Sequence, residues 1–171
     1  PLTAKADICQ DKEIDMAKST FSGPVVSNNG FISAGSNNIQ NITAEKTLTF
    51  NDHAGRIIEV NDADGAITLP SIVSAELGAK YTFFVGTDAT DLDIKTDGTD
   101  KYVGSIMVAV DNGSKKSFIP GATNDVISLN GGTQGGDKNS YVEITALATA
   151  EYLVQGVLIG SGTVATPFAD S

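Results

Sequence analysis

The sequence predicts an all-β chain: an antiparallel β-sandwich or jelly-roll-like domain preceded by an extended N-terminal arm. Three observations lead there. Apolar residues fall in short runs rich in Val, Ile, Phe and Tyr rather than in long blocks. The runs recur about every eight to twelve residues, the spacing of strands in sandwiches and barrels. Between them stand turn-forming pairs such as Asp97-Gly98, Asn112-Gly113 and Pro120-Gly121. No helix–strand alternation suggests a parallel sheet, and no Gly-x-Gly-x-x-Gly opens a helix.

Residues 1–20 read as the arm. They mix charges with few apolar side chains, and a short helix is expected over Lys12–Lys18. The stretch from Met16 reads like a natural start, which would make the first fifteen residues an extension. The arm cannot build a core, so its apolar members Leu2, Ile8, Cys9, Ile14 and Met16 are the candidate partner-binding residues.

Residues 21–171 read as the β domain. Val25-Val26 and Phe31-Ile32 flank an Asn29-Gly30 tight turn. Thr47–Phe50 alternates polar and apolar, as a half-buried strand does. Arg56–Val60 and Ala66–Leu69 follow, joined by Asn61–Gly65, a hairpin loop by composition. Pro70 ends that run, and Ser71–Leu77 can form a helical turn or two closed by Gly78. Tyr81–Val85 is unbroken aromatic and β-branched sequence, hence a central buried strand. The series continues with Leu92–Lys95, Tyr102–Val110, Lys116–Ile119, Asp125–Leu129, Tyr141–Ala146 and Tyr152–Ile159. About ten strands are expected, with a β-barrel carrying the Ser71–Leu77 turn as the structural alternative.

Composition narrows function. At 171 residues the chain can bury a full core without disulfide or metal. A net charge of −10 opposes binding to a phosphate backbone, so nucleic acid is not an expected partner. No apolar stretch approaches the roughly 20 residues of a membrane span, and no membrane partner is expected. One Cys and one His leave no intramolecular disulfide and none of the common zinc sets. No cofactor is expected.

The remaining constellations read as structural. His53 beside Asp52 could seed a dyad, but a nucleophile on an elbow is lacking; Gly160-Ser161-Gly162 lies in a Gly/Thr-rich loop. Asp88, Asp91, Asp93, Asp97 and Asp100 could be weighed as a calcium loop, yet their spacing does not match that pattern and no Glu closes it. They read better as a solvated edge or turn. The tracts Gly131–Gly136 and Gly160–Gly162 precede strands or loops rather than a helix, so they read as turns and not phosphate cradles. No catalytic residue is expected.

Three blocks carry a resemblance when taken together. The first is Phe21-Ser22-Gly23-Pro24-Val25-Val26-Ser27-Asn28-Asn29-Gly30-Phe31. The second runs from Thr47 through Asp52-His53-Ala54-Gly55-Arg56 to Ile67-Thr68-Leu69-Pro70. The third runs from Val126 through Gly135-Gly136, Tyr141-Val142-Glu143 and Gly160-Ser161-Gly162-Thr163 to Phe168. As a set they resemble virion structural proteins of marine and cyanobacterial tailed phages, among them head decoration (cement) proteins. Tyr152 stands where such proteins often carry Trp. The resemblance leaves residues 1–15 outside it. It implies a homotrimeric, non-enzymatic β-structured protein bound to a phage particle. Decoration proteins, head fibres and tail fibres share such blocks, and the role expected here is capsid decoration at the outer capsid surface, bridging subunits of the major capsid protein. Two rivals are a tail or head fibre module that attaches to host glycans and a glycan-cleaving enzyme with two carboxylates. A groove lined by exposed Tyr102, Tyr141 or Tyr152 would favour the fibre module.

Overall fold

The computed structural model describes residues 35–110 and 113–171. The expected Lys12–Lys18 helix, the hairpin around Asn29-Gly30 and the five arm residues lie outside them.

From Gly35 onward the chain is mostly strand, arranged in two sheets. It alternates between them: β1 (Ile39–Ile42), β3 (Ile57–Val60) and β5 (Lys80–Val85) lie in one sheet, and β2 (Lys46–Thr47), β4 (Ala66–Thr68) and β6 (Leu92–Lys95) in the other. After these come β7 (Lys101–Val110), β8 (Lys115–Phe118), β9 (Val126–Leu129), β10 (Tyr141–Ala148), β11 (Glu151–Gly160) and β12 (Phe168–Ala169). One sheet has seven strands in the order β1-β3-β5-β10-β11-β7-β8; the other has five in the order β12-β9-β6-β4-β2.

The all-β reading holds, but the sheets are mixed rather than antiparallel. Among the described residues five of ten strand pairings are parallel: β1 with β3, β3 with β5, β2 with β4, β4 with β6, and β11 with β7. The reason lies in the winding. A parallel pair needs a crossover of a dozen or more residues, usually a helix. From β1 to β6 the crossover is a strand of the opposite sheet, so successive strands re-enter each sheet in the same direction; β7 and β11 are joined instead through β8, β9 and β10. For that reason Asn61–Gly65 is not a hairpin loop: it carries the chain from β3 in one sheet to β4 in the other.

The expected strand Thr47–Phe50 is also shorter. Only Lys46–Thr47 pairs, and Phe50–His53 forms a single helical turn (α1). Thr49 caps that turn: its hydroxyl accepts from the Asp52 N–H at 3.3 Å and donates to Asp52 Oδ2 at 2.6 Å. Such an N-cap, with an acid three residues on, overrides the strand periodicity. Of Ser71–Leu77, only Ser74–Glu76 is helical, as a 3-10 turn, with Gly78 at φ +86° after it.

One apolar cluster joins the inner faces of both sheets. Ile58, Phe83, Ile106, Ile144, Val154 and Leu158 contribute from the seven-stranded sheet, and Ile67, Ile94, Ile127 and Leu129 from the five-stranded one. Three tyrosines complete it. Tyr81 and Tyr152 pack edge to face at 6.4 Å, a favoured aromatic geometry. Tyr152 donates to the Pro70 carbonyl at 2.6 Å and Tyr102 to that of Ile94 at 3.0 Å, which satisfies each buried hydroxyl.

Burial pushes the Tyr81 phenol up to about 12, with a smaller push from Glu76. Burial also raises Tyr102 and Tyr152 well above the ordinary range, aided by each one's aromatic and carboxylate neighbours. These phenols are neutral in the fold and ionise near pH 10 once unfolded. Stability is therefore intact below about pH 10 and falls as pH rises toward 12. Three of the four tyrosines are expected to give phenolate absorbance only together with loss of the β-sheet circular dichroism signal. Gradual titration of all four before any loss of structure would contradict this burial.

Candidate docking surface

Strand alternation sends one set of side chains into the core and the other to the outer face. On the five strands β1, β3, β5, β10 and β11 the outward set includes several large apolar side chains. Ile39 is 51% exposed, Ile57 45%, Tyr141 41% and Val157 39%. Register connects them across the sheet: Phe84 lies opposite Tyr141, Tyr141 opposite Val157, and Val157 opposite Met107, while Ile39 lies opposite Ile57. The result is an apolar band across the seven-stranded sheet, interrupted between β3 and β5, where Ile57 lies opposite Thr82 and Glu59 opposite Phe84. Contiguous exposed apolar surface of this kind marks interaction sites in soluble proteins.

At the β1 end the band deepens into a slot of about 320 Å³ lined by Ile39, Ile57, Glu59, Thr82, Phe84 and Tyr141. Beside it, on the same face, Glu143 accepts from Lys80 Nζ and from Gln155 Nε2, each at 2.9 Å. The Lys80 bond foremost holds the Glu143 carboxyl below its ordinary range, against a weaker push from burial and with help from Gln155. Among the described residues no hydrogen bond or ion pair takes up the Glu59 carboxylate.

The candidate chemical residues of the sequence are held in local hydrogen bonds. His53 is buried at the end of the single helical turn α1, and its Nδ1 accepts from the Thr49 N–H at 3.0 Å. Asp52 is engaged by Thr49, so no His–Asp dyad forms. A polar recess of about 230 Å³, lined by residues 40–46 and His53, lies alongside. In the acidic loop, Asp97 accepts from Ser71, from the Thr99 hydroxyl and N–H, and from the Asp100 N–H. Burial alone would raise its pKa, but these four bonds bring it well below the ordinary carboxylate range. Asp100 is buried and raised by that burial, and its carboxylate accepts from the Ile72 N–H at 2.9 Å. Asp88 accepts from the Lys138 N–H. No group of three or more metal-ligating side chains occurs among the described residues.

The glycine tracts fold back on one another. Gly132 O accepts from both the Gly135 and Ser161 N–H groups, and Asp137 N–H donates to Ile159 O. This packs residues 131–137 against the end of β11. Of the three tyrosines whose exposure in a groove would favour the fibre module, Tyr102 and Tyr152 are core residues and Tyr141 faces outward.

The apolar band itself escapes a reading by runs alone. Its signal is the adjacent apolar pairs Ile57-Ile58, Phe83-Phe84 and Val157-Leu158. In a strand one member of each pair must face away from the core. Comparison of the chain with protein families, with curated proteins and with solved structures gives no match.

Proposed function

We propose that the protein is a non-enzymatic structural component of a tailed-phage particle: a head decoration protein that binds the outer capsid surface and bridges neighbouring major capsid subunits. The observation that carries this reading is the exposed apolar band on the outer face of the seven-stranded sheet. It offers a broad contact surface on a body whose Asp97, Asp100 and His53 are engaged in local hydrogen bonds. The resemblance of three sequence blocks to virion structural proteins adds to it. In this reading the two sheets form a sandwich, the protein assembles as a homotrimer, and the arm with Leu2, Ile8, Cys9, Ile14 and Met16 supplies a second contact. Linked contacts raise one another's effective concentration, so each can be weak while the whole is tight.

The fibre reading is less well supported, because two of the three tyrosines it would use for stacking sugars are in the core. The test is copy number on purified phage particles, by quantitative mass spectrometry against the major capsid protein. A ratio near one to one is expected for a lattice-wide cement. A handful of copies would place the protein at a vertex, neck or tail and overturn the decoration reading.

A further inference from the structure

The slot at the β1 end of the band has a chemistry of its own. Its walls are the apolar side chains of Ile39, Ile57, Phe84 and Tyr141, and one carboxylate, that of Glu59, stands among them. The neighbouring Glu143 is already neutralised by Lys80, whereas Glu59 has no partner among the described residues. Covering Glu59 with a purely apolar side chain would strip water from a charge without replacing it. A short polar side chain would leave the apolar walls unfilled. Both demands are met by a side chain with a long apolar stem and a cationic end. Two aromatic rings beside the carboxylate favour a planar guanidinium, which stacks on ring faces and forks onto carboxylates.

We propose that this slot receives an arginine side chain from a partner protein docked on the seven-stranded sheet, with Glu59 as its counter-ion. The proposal rests on the reading that this face docks a protein. The arginine comes from a different protein, because this chain has a single arginine, Arg56, which already donates to the Asn37 carbonyl at 3.0 Å. A net charge of −10 also favours a basic partner surface.

The test uses the full chain in isolation, isotopically labelled at isoleucine methyls, titrated with butylguanidinium and with its neutral counterpart butylurea. Saturable NMR shifts are expected at Ile39 and Ile57 and not at Ile127, which is buried in the other sheet. Glu59→Gln should weaken butylguanidinium binding about three- to fivefold and leave butylurea binding unchanged. Absence of saturable shifts at Ile39 and Ile57 overturns the proposal. So does equal binding of the two probes with no effect of Glu59→Gln, which would make the slot merely apolar. No particle is involved, so a failure here is distinct from a failure of the decoration reading, which copy number decides.

Discussion

Gly104→Val is expected to destabilise the protein by about 3–5 kcal/mol, through two independent penalties. Gly104 sits within β7, opposite Val154 of β11, with φ at +108°. That backbone conformation is available to glycine and strongly disfavoured for a β-branched residue. A Cβ placed there would also lie 2.3 Å from the Val154 carbonyl oxygen. The oxygen is backbone within a ladder paired on both sides, so it cannot yield without breaking hydrogen bonds. For a chain of this length the loss corresponds to a fall in melting temperature of roughly 10–15 °C, measurable by calorimetry. Val103→Ala, one residue away on the outer face, serves as the comparison and should cost far less. A Gly104→Val protein melting within a few degrees of the parent would show that the strand tolerates an ordinary conformation at this position.

The second large effect is on binding rather than folding. The double substitution Ile57→Asp and Tyr141→Asp places two charges in the middle of the apolar band. Both side chains are more than two-fifths exposed, so the fold should melt within a few degrees of the parent. Central interface residues contribute about 2 kcal/mol or more each when removed, and buried unpaired charges add to the loss. Affinity for the purified particle is therefore expected to drop by at least about a hundredfold. Val73→Asp, at an equally exposed apolar residue in the segment between β4 and β5, should leave affinity intact. Equal losses from both variants, or none from the double variant, would move the contact away from this sheet.

Strand positions were largely legible because alternation is a local property. The expected strand Leu92–Lys95 matches β6 to the residue, and Tyr81–Val85 and Tyr102–Val110 match β5 and β7 to within one residue at the start. Sheet membership was not legible, because nothing local in Ile57–Val60 and Ala66–Thr68 says that they belong to opposite sheets. A loop such as Asn61–Gly65 has the same composition whether it closes a hairpin or crosses the core. Unbroken apolar runs misled in a second way. Phe83 enters the core and Phe84 faces outward, so a sequence that reads as buried on both sides in fact builds part of the apolar outer face. Tyrosine is ambiguous by nature, with an apolar body and a polar tip. Tyr102 and Tyr152 are core residues because backbone carbonyls meet their hydroxyls, a circumstance invisible before the fold is known.

The order of the seven-stranded sheet also constrains how the chain can be made. β10 and β11, near the end of the sequence, lie between β5 and β7, which precede them. As the chain leaves the ribosome, β1-β3-β5 and β7-β8 can pair among themselves but expose facing edges with nothing between them. Open edges of this kind template intermolecular pairing. Closure waits for a hairpin whose second strand pairs with residues 50 positions earlier, Glu151 with Lys101. Such distant pairing is slow to find. This strand order predicts that the seven-stranded sheet cannot close until residue 160 is free of the tunnel, so chains arrested before that point should aggregate more readily than those released after it.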